Sequence, residues 1–191
     1  MKAMGPIPPD FVRDSAGELL LGGEQHAVAA ALLAGQGTPV FAYDRSVVAR
    51  RVERFRSAMP AEVALHYAVK ANPFAPLLQV LAPAVDGLDL ASGGELALVR
   101  ETLGTSFEQM PLSFAGPGKS DAELRLGLES RITFHIESRG ELERLLRLAE
   151  KAGIGPRIGV RINPPFGLKG SGMKMGGLAS PFGVDHEEVP D

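Results

Sequence analysis

Apolar residues recur along this chain with two periods: every second residue in short β-rich runs, and every third or fourth in the stretches between them. That alternation predicts strands and helices in turn. Val63, Leu65, Tyr67 and Val69 alternate with Ala64, His66, Ala68 and Lys70, which predicts a strand with two different faces ending at Lys70. Asn72 is a good helix cap and Pro73 fits a first helical turn, so a helix is predicted over about 73–83 with Leu77, Leu78, Val80 and Leu81 on it. Further strands are predicted at 87–90, 111–115, 132–136 and 157–162.

Three of the intervening helices open with the same device. Ser92-Gly93-Gly94-Glu95, Ser120-Asp121-Ala122-Glu123 and Ser138-Arg139-Gly140-Glu141 each place glutamate three residues after serine, the capping box that satisfies two orphan backbone donors. The last of these helices sets Leu142, Leu145, Leu146 and Ala149 on one face and Glu143, Arg144 and Arg147 on the other, so the first face should pack on a sheet.

Strand–helix alternation predicts βα units and a parallel sheet. On the last strand Ile158, Val160 and Ile162 share one face, and Gly159, Arg161 and Asn163 share the other. A polar inner face fits a barrel near its carboxyl end better than the doubly apolar strand of an open sheet. The inward set then includes Ala68, Lys70, Asp89, Ser113, Ala115 and His135, with Asp89 and Arg161 converging on Lys70 at the mouth. A (β/α)8 barrel needs about 250 residues and eight strands, and five strands are predicted before Asp191, so the fold class is α/β, a partial barrel.

The segment before the first strand differs in kind. Residues 1–22 are punctuated by proline and glycine, Glu18–Leu21 reads as a short strand, Gln25–Leu33 as an Ala-rich helix, and Thr38–Tyr43 as extended. Residues 1–44 are therefore read as a lead-in segment and 45–191 as the incomplete barrel.

Composition narrows the function classes. The chain of 191 residues is 45% hydrophobic, has no cysteine or tryptophan and carries a formal charge of −3, which predicts a globular protein that does not bind nucleic acid through bulk charge. No disulfide or cysteine metal site is possible, and His26, His66, His135 and His186 lack metal-ligand spacing. No apolar run long enough for a membrane span or a signal peptide occurs, so a cytoplasmic location is expected. Arg45, Arg50, Arg51, Arg54 and Arg56 alternate with Val48, Val52, Phe55 and Met59, as on an amphipathic helix with a solvated basic face.

Lys70 is the outstanding chemical candidate. The carboxyl ends of strands are where α/β folds assemble chemistry, and a desolvated lysine amine forms Schiff bases with carbonyl groups. The structural alternative is a strand-end lysine reaching to solvent.

Four motifs in order carry a family resemblance: Tyr67-Ala68-Val69-Lys70-Ala71-Asn72, Leu88-Asp89-Leu90-Ala91-Ser92-Gly93-Gly94-Glu95, Phe114-Ala115-Gly116-Pro117-Gly118-Lys119-Ser120, and Leu168-Lys169-Gly170-Ser171-Gly172-Met173-Lys174-Met175-Gly176-Gly177. Together they resemble the fold-type III pyridoxal-phosphate decarboxylases, which act on diaminopimelate, ornithine or arginine. The opening Met4-Gly5-Pro6-Ile7-Pro8-Pro9 and the Lys-Gly-Ser-Gly-Met loop look most like the subgroup associated with the exosortase A system. The resemblance implies a barrel of the alanine racemase-like type. It implies that Lys70 carries pyridoxal 5'-phosphate as an internal aldimine, and that Ala68, Asp89 and Arg161 line the cofactor pocket. It also implies a small amino-acid substrate, a diamino acid among the candidates, and a homodimer for the full-length enzyme.

The family pattern extends beyond this chain. Its remaining strands carry a histidine that stacks on the cofactor ring, a glycine-rich phosphate loop and a glutamate facing the pyridine nitrogen, and a C-terminal β domain follows. None of these motifs stands before Asp191, and the cysteine loop that a dimer partner contributes has no counterpart. The chain therefore resembles an N-terminal portion, expected to be inactive by itself.

Two other readings compete. Ser113–Ser120 ends in Gly-Lys-Ser between a strand and a helix, close to a phosphate-binding P-loop of a nucleotide-binding protein. Ser113 stands where that loop needs glycine, which leaves Lys119 as an exposed helix-start residue. A non-enzymatic pyridoxal-phosphate carrier or homeostasis protein on a lone barrel is the other reading. The family resemblance implies that Gly167–Gly177, with Lys169 and Lys174, borders the substrate entrance.

Overall fold

The structure is a computed structural model; it describes residues 12–21, 27–37, 39–166, 177 and 180–189. The chain divides into two compact units, Met1–Val63 and Ala64–Asp191.

In the first unit β1 (Leu20–Leu21) pairs antiparallel with β2 (Ala27–Val28), and the helices α1 (Ala29–Leu33) and α2 (Arg45–Ala58) follow. The Ala-rich helix is therefore shorter than its composition predicts. Ala27 and Val28 give their backbone groups to β1, and the Ala29 N–H donates to the Leu19 carbonyl at 2.8 Å. The helix starts only where that pairing ends. Asp44 caps α2, its carboxylate accepting from the Ser46 N–H at 2.8 Å. The basic face of α2 is solvated as expected, with Arg45, Arg50, Arg51 and Arg54 exposed, but its apolar stripe is only partly covered. Val48 and Val52 are half-buried and Phe55 is exposed.

The second unit repeats the strand–helix pattern: β3 (His66–Ala68), α3 (Ala75–Leu81), β4 (Gly87–Leu90), α4 (Gly93–Leu103), β5 (Leu112–Phe114), α5 (Asp121–Glu129), β6 (Thr133–Ile136), α6 (Arg139–Ala152) and β7 (Arg157–Val160). The strands form one parallel sheet in the order β3-β4-β5-β6-β7. Each new strand is added on the same side as the last. A doubly wound sheet reverses direction at a switch point, whereas a barrel does not, so this is five strands of a barrel, as the polar strand faces predict. Beyond β7, β8 (Ile162–Asn163) pairs parallel with β9 (Val184–Asp185).

Strand parity divides the sheet. Leu88, Leu90, Leu112, Phe114, Phe134 and Ile136 are buried together with Leu96, Val99, Leu124, Leu128, Leu145 and Leu148 of the helices. On α6 the buried stripe is Leu145, Leu148 and Ala149. The predicted face included Leu146 instead, which is 47% exposed. The helix is rotated so that Glu141, another buried residue of its first turn, reaches the strand ends.

All three serines cap their helices, but only one of the three expected capping boxes closes. Ser92, Ser120 and Ser138 each accept from the N–H of the glutamate three residues on, and only Glu123 returns the bond to its own cap. Glu95 takes the Ala91 N–H and Glu141 the Glu137 N–H, one residue earlier.

The turn after β3 departs from expectation. Val69–Ala71 is a 3-10 turn, so the strand ends two residues before Lys70. Asn72 does not cap α3, because Phe74 is its N-cap and Pro76 occupies its first turn. The Asn72 N–H closes the 3-10 turn on the Val69 carbonyl at 3.1 Å, while its side chain accepts from the Phe74 N–H at 3.1 Å. Pro76 supplies the preset first-turn geometry three residues later than Pro73 would.

Candidate functional site

The parallel register sets Ala68, Asp89, Ser113, Thr133 and Arg157 side by side across the five strands. His66 and His135 share their parity. This is the polar inner face, and a cavity of about 740 Å3 lies against its amino-terminal half, lined by His66, Asp89, Ser113, Thr133, His135 and Arg157 together with Ala64, Pro111 and Arg131 from before the strands; Lys70, Ala68 and Arg161 do not line it. Two glycines make room for the imidazoles. A Cβ at Gly87 would stand 2.5 Å from His66 Cε1, and one at Gly159 would stand 3.2 Å from His135 Nδ1.

Ala68 and Asp89 are neighbours in register. The Ser113 hydroxyl donates to Asp89 Oδ1 from the next strand. Lys70 follows Ala68 by two residues, exposed in the 3-10 turn at the carboxyl end of β3. Arg161 lies just past β7, three strand spacings from Asp89, which is roughly 14 Å along the sheet. The two therefore do not pair. Arg161 Nη1 donates instead to both oxygens of Glu137, at 3.0 and 3.1 Å, and the guanidinium stands 4.9 Å from the centre of the Phe182 ring.

Lys119 is not an exposed helix-start residue. It is 3% exposed, and Nζ donates to the Gly116 carbonyl, the His135 carbonyl and Glu141 Oε1 at 2.8, 2.8 and 2.6 Å. An ammonium has three protons to donate, so this amine is fully committed. A P-loop lysine must reach a phosphate, and Lys119 cannot. Lys70 is the contrasting case: among the described residues none accepts a hydrogen bond from its Nζ. In the loops after β3 and β5, then, Lys70 is exposed while Lys119 is buried and fully bonded.

Glu137 is a buried residue that the sequence pattern does not single out, and Glu141, named there only for its serine box, does more than close that box. Both are buried, Glu141 in the ion pair with Lys119 and Glu137 against Arg161 and two loop amides. A glutamate immediately after an apolar strand was the available signal. Glu123 has a related role in the preceding βα unit. It takes the Gly93 N–H at 2.7 Å as well as the Ser120 N–H, and these backbone donors hold its carboxyl below the ordinary glutamate value. The Arg144 guanidinium, bonded at 2.8 Å, does the same for Asp121. The carboxyl-end loops are thus tied to their neighbours by carboxylates.

Positions 167–176 of the glycine- and lysine-rich loop lie outside the described residues, as does His26. The Gly177 N–H donates to Asn163 Oδ1 at 3.0 Å. Among the described residues no His, Asp or Glu cluster could hold a metal ion, and no helix is long and apolar enough to cross a membrane.

The sequence and the fold both have relatives. The diaminopimelate decarboxylase of Aquifex aeolicus (strain VF5) is 38% identical over 155 residues, covering 80% of this chain and 36% of its own. A decarboxylase of an L-glutamyl-loaded acyl-carrier protein from Niallia circulans is 34% identical over 149 residues, covering 78% and 34%. The crystal structure of Helicobacter pylori diaminopimelate decarboxylase complexed with L-lysine superposes with a TM-score of 0.74 at 30% identity, over 83% of this chain and 40% of that one. The chain thus spans less than half the length of these relatives. The family model described as pyridoxal-dependent decarboxylase, pyridoxal binding domain, matches residues 45–190, and the chain belongs to that family.

Proposed function

We propose that this chain is the cofactor-binding portion of a pyridoxal-phosphate-dependent amino-acid decarboxylase, with Lys70 as the residue that holds the cofactor. The observation that carries the reading is the contrast between two lysines of the carboxyl-end loops, one fully bonded and buried, the other exposed in the turn after β3 with an amine from which no described residue accepts. The donor set fits the cofactor. Lys70 offers an amine for its carbonyl carbon, Asp89 a half-buried carboxylate in the inner row beside Ala68, and Arg161 a cation for an anionic oxygen. Ala68, beside Asp89 on the edge strand, adds only a methyl group to the row there.

When bound, pyridoxal phosphate supplies an electron sink for the pair left at Cα as carbon dioxide departs. The chain's own residues orient and desolvate. Ser113 fixes Asp89 through its hydroxyl, so the carboxylate faces the inner side in a set direction. Arg161, braced by Glu137 and Phe182, presents a guanidinium of defined orientation at the rim.

In this reading residues 1–44 are a lead-in and 45–191 belong to the barrel, the whole enzyme is a homodimer of the cytoplasm, and its substrate is a small diamino acid of the diaminopimelate type. The opening Met4–Pro9 and the Lys169–Met173 stretch favour the exosortase-associated subgroup. The test uses the protein expressed from its complete gene. Carbon dioxide release is measured for diaminopimelate, ornithine, lysine and arginine with the cofactor present. One of them should be turned over, and Lys70→Ala should abolish turnover while the circular dichroism spectrum is kept. Undiminished turnover by Lys70→Ala would refute the assignment.

A further inference from the structure

We propose that Glu137 is a positioning residue, a buried carboxylate that sets the Arg161 guanidinium and two rim loops in one arrangement. The inference rests on the reading of Arg161 as a cofactor-pocket residue. Glu137 is the first residue beyond β6 and has the inward parity of Thr133 and His135. Its side chain is fully buried. Oε1 accepts from the Gly116 N–H at 2.6 Å and from Arg161 at 3.0 Å; Oε2 accepts from Arg161 at 3.1 Å and from the Gly183 N–H at 3.2 Å. A carboxylate has about four acceptor positions, and all four are used. One side chain thereby joins the loop after β5, the end of β7 and the turn before β9.

The surroundings leave little room for another arrangement. Gly183 has φ +80°, and a Cβ there would stand 2.8 Å from the Arg161 carbonyl oxygen. The Glu137 N–H donates to Glu141 Oε2 at 3.1 Å, which couples the clamp to the buried pair with Lys119. Arg161 itself keeps 31% of its side chain exposed, and both bonds to Glu137 use Nη1 alone. The sealed carboxylate therefore orients a guanidinium whose outer side faces the rim. A charged pair held in this way directs the cation more tightly than a neutral amide can.

The test is a double-mutant cycle in the protein from its complete gene, with Glu137→Gln, Arg161→Ala and the combination. Four quantities are read: the dissociation constant for pyridoxal phosphate by absorbance titration, kcat, KM, and the thermal midpoint as a fold control. Glu137→Gln should weaken the cofactor roughly tenfold, and the effect should vanish in the Arg161→Ala background. Glu137→Asp, which keeps the charge but shortens the reach, provides the same cycle if the glutamine variant does not fold. Equal weakening in both backgrounds, or unchanged cofactor affinity, would overturn the proposal while leaving the assignment of Lys70 intact. A wild-type protein that takes up no cofactor would overturn the functional reading, and this inference with it.

Discussion

Lys119 Nζ stands 2.6 Å from Glu141 Oε1, with each side chain 1% exposed. The pair joins the loop after β5 to the first turn of α6, and two carbonyls complete the ammonium's bonds. Removing one partner leaves the other buried and uncompensated, at a cost of about 3–5 kcal/mol. Lys119→Met should therefore lower the urea midpoint strongly. Because Glu141→Gln breaks the same pair, the double variant should lose clearly less than the two singles combined. Additive losses would mean that the two side chains act independently.

Gly127 poses a conflict between helix propensity and packing. Alanine inside a helix is ordinarily better than glycine by about 1 kcal/mol. A Cβ at Gly127 in α5 would, however, stand 2.6 Å from Cζ of Phe134, a fully buried ring that has nowhere to move. Overpacking of this kind costs about 1–3 kcal/mol. Gly127→Ala should therefore lower the thermal midpoint; a raised midpoint would show that the ring and helix relax freely.

Glu123 gives a pH dependence with a definite sign. Its folded-state pKa is lowered, first by the Ser120 backbone N–H and then by that of Gly93. A group of this kind stabilises the fold above its unfolded-state value, about 4.3, and the contribution is lost as pH falls through the lower folded-state value. Glu123→Gln should lose less stability than wild type on going from pH 6 to about pH 3. Parallel pH profiles for the two proteins would contradict the assignment.

Strand parity, the three serine-capped helix starts and the barrel reading were legible because each depends on residues near in sequence. The serine boxes span four residues, and the inner row of Ala68, Asp89 and Ser113 follows from alternation within single strands. Lys119 and Glu137 were not legible in the same way. Their partners lie 22 and 24 residues away, and for Gly183 the separation is 46. No local pattern tells a buried charge with distant partners from a solvated one. Asn72 failed for a different reason: two prolines three residues apart both satisfy the first-turn rule, and the 3-10 turn at Val69–Ala71 selects Pro76.

Residues 1–191 expressed alone should self-associate and show no turnover. The sheet ends at β3 and β7, and open strand edges template further pairing. On and just beyond β7, Ile158, Val160 and Ile162 are 39, 47 and 51% exposed, an apolar strip that promotes association. Size-exclusion chromatography should give oligomers or aggregates. A monodisperse monomer that releases carbon dioxide from a diamino acid would refute this expectation.

The central claim is that Lys70 holds the cofactor, and chemical trapping tests it most directly. The protein from its complete gene is incubated with pyridoxal phosphate, reduced with borohydride, digested and mapped by mass spectrometry. The pyridoxyl group should be found on the peptide containing Lys70 and not on the peptide containing the buried Lys119. A label on Lys119, Lys169 or Lys174, or no label on any lysine, would contradict the account.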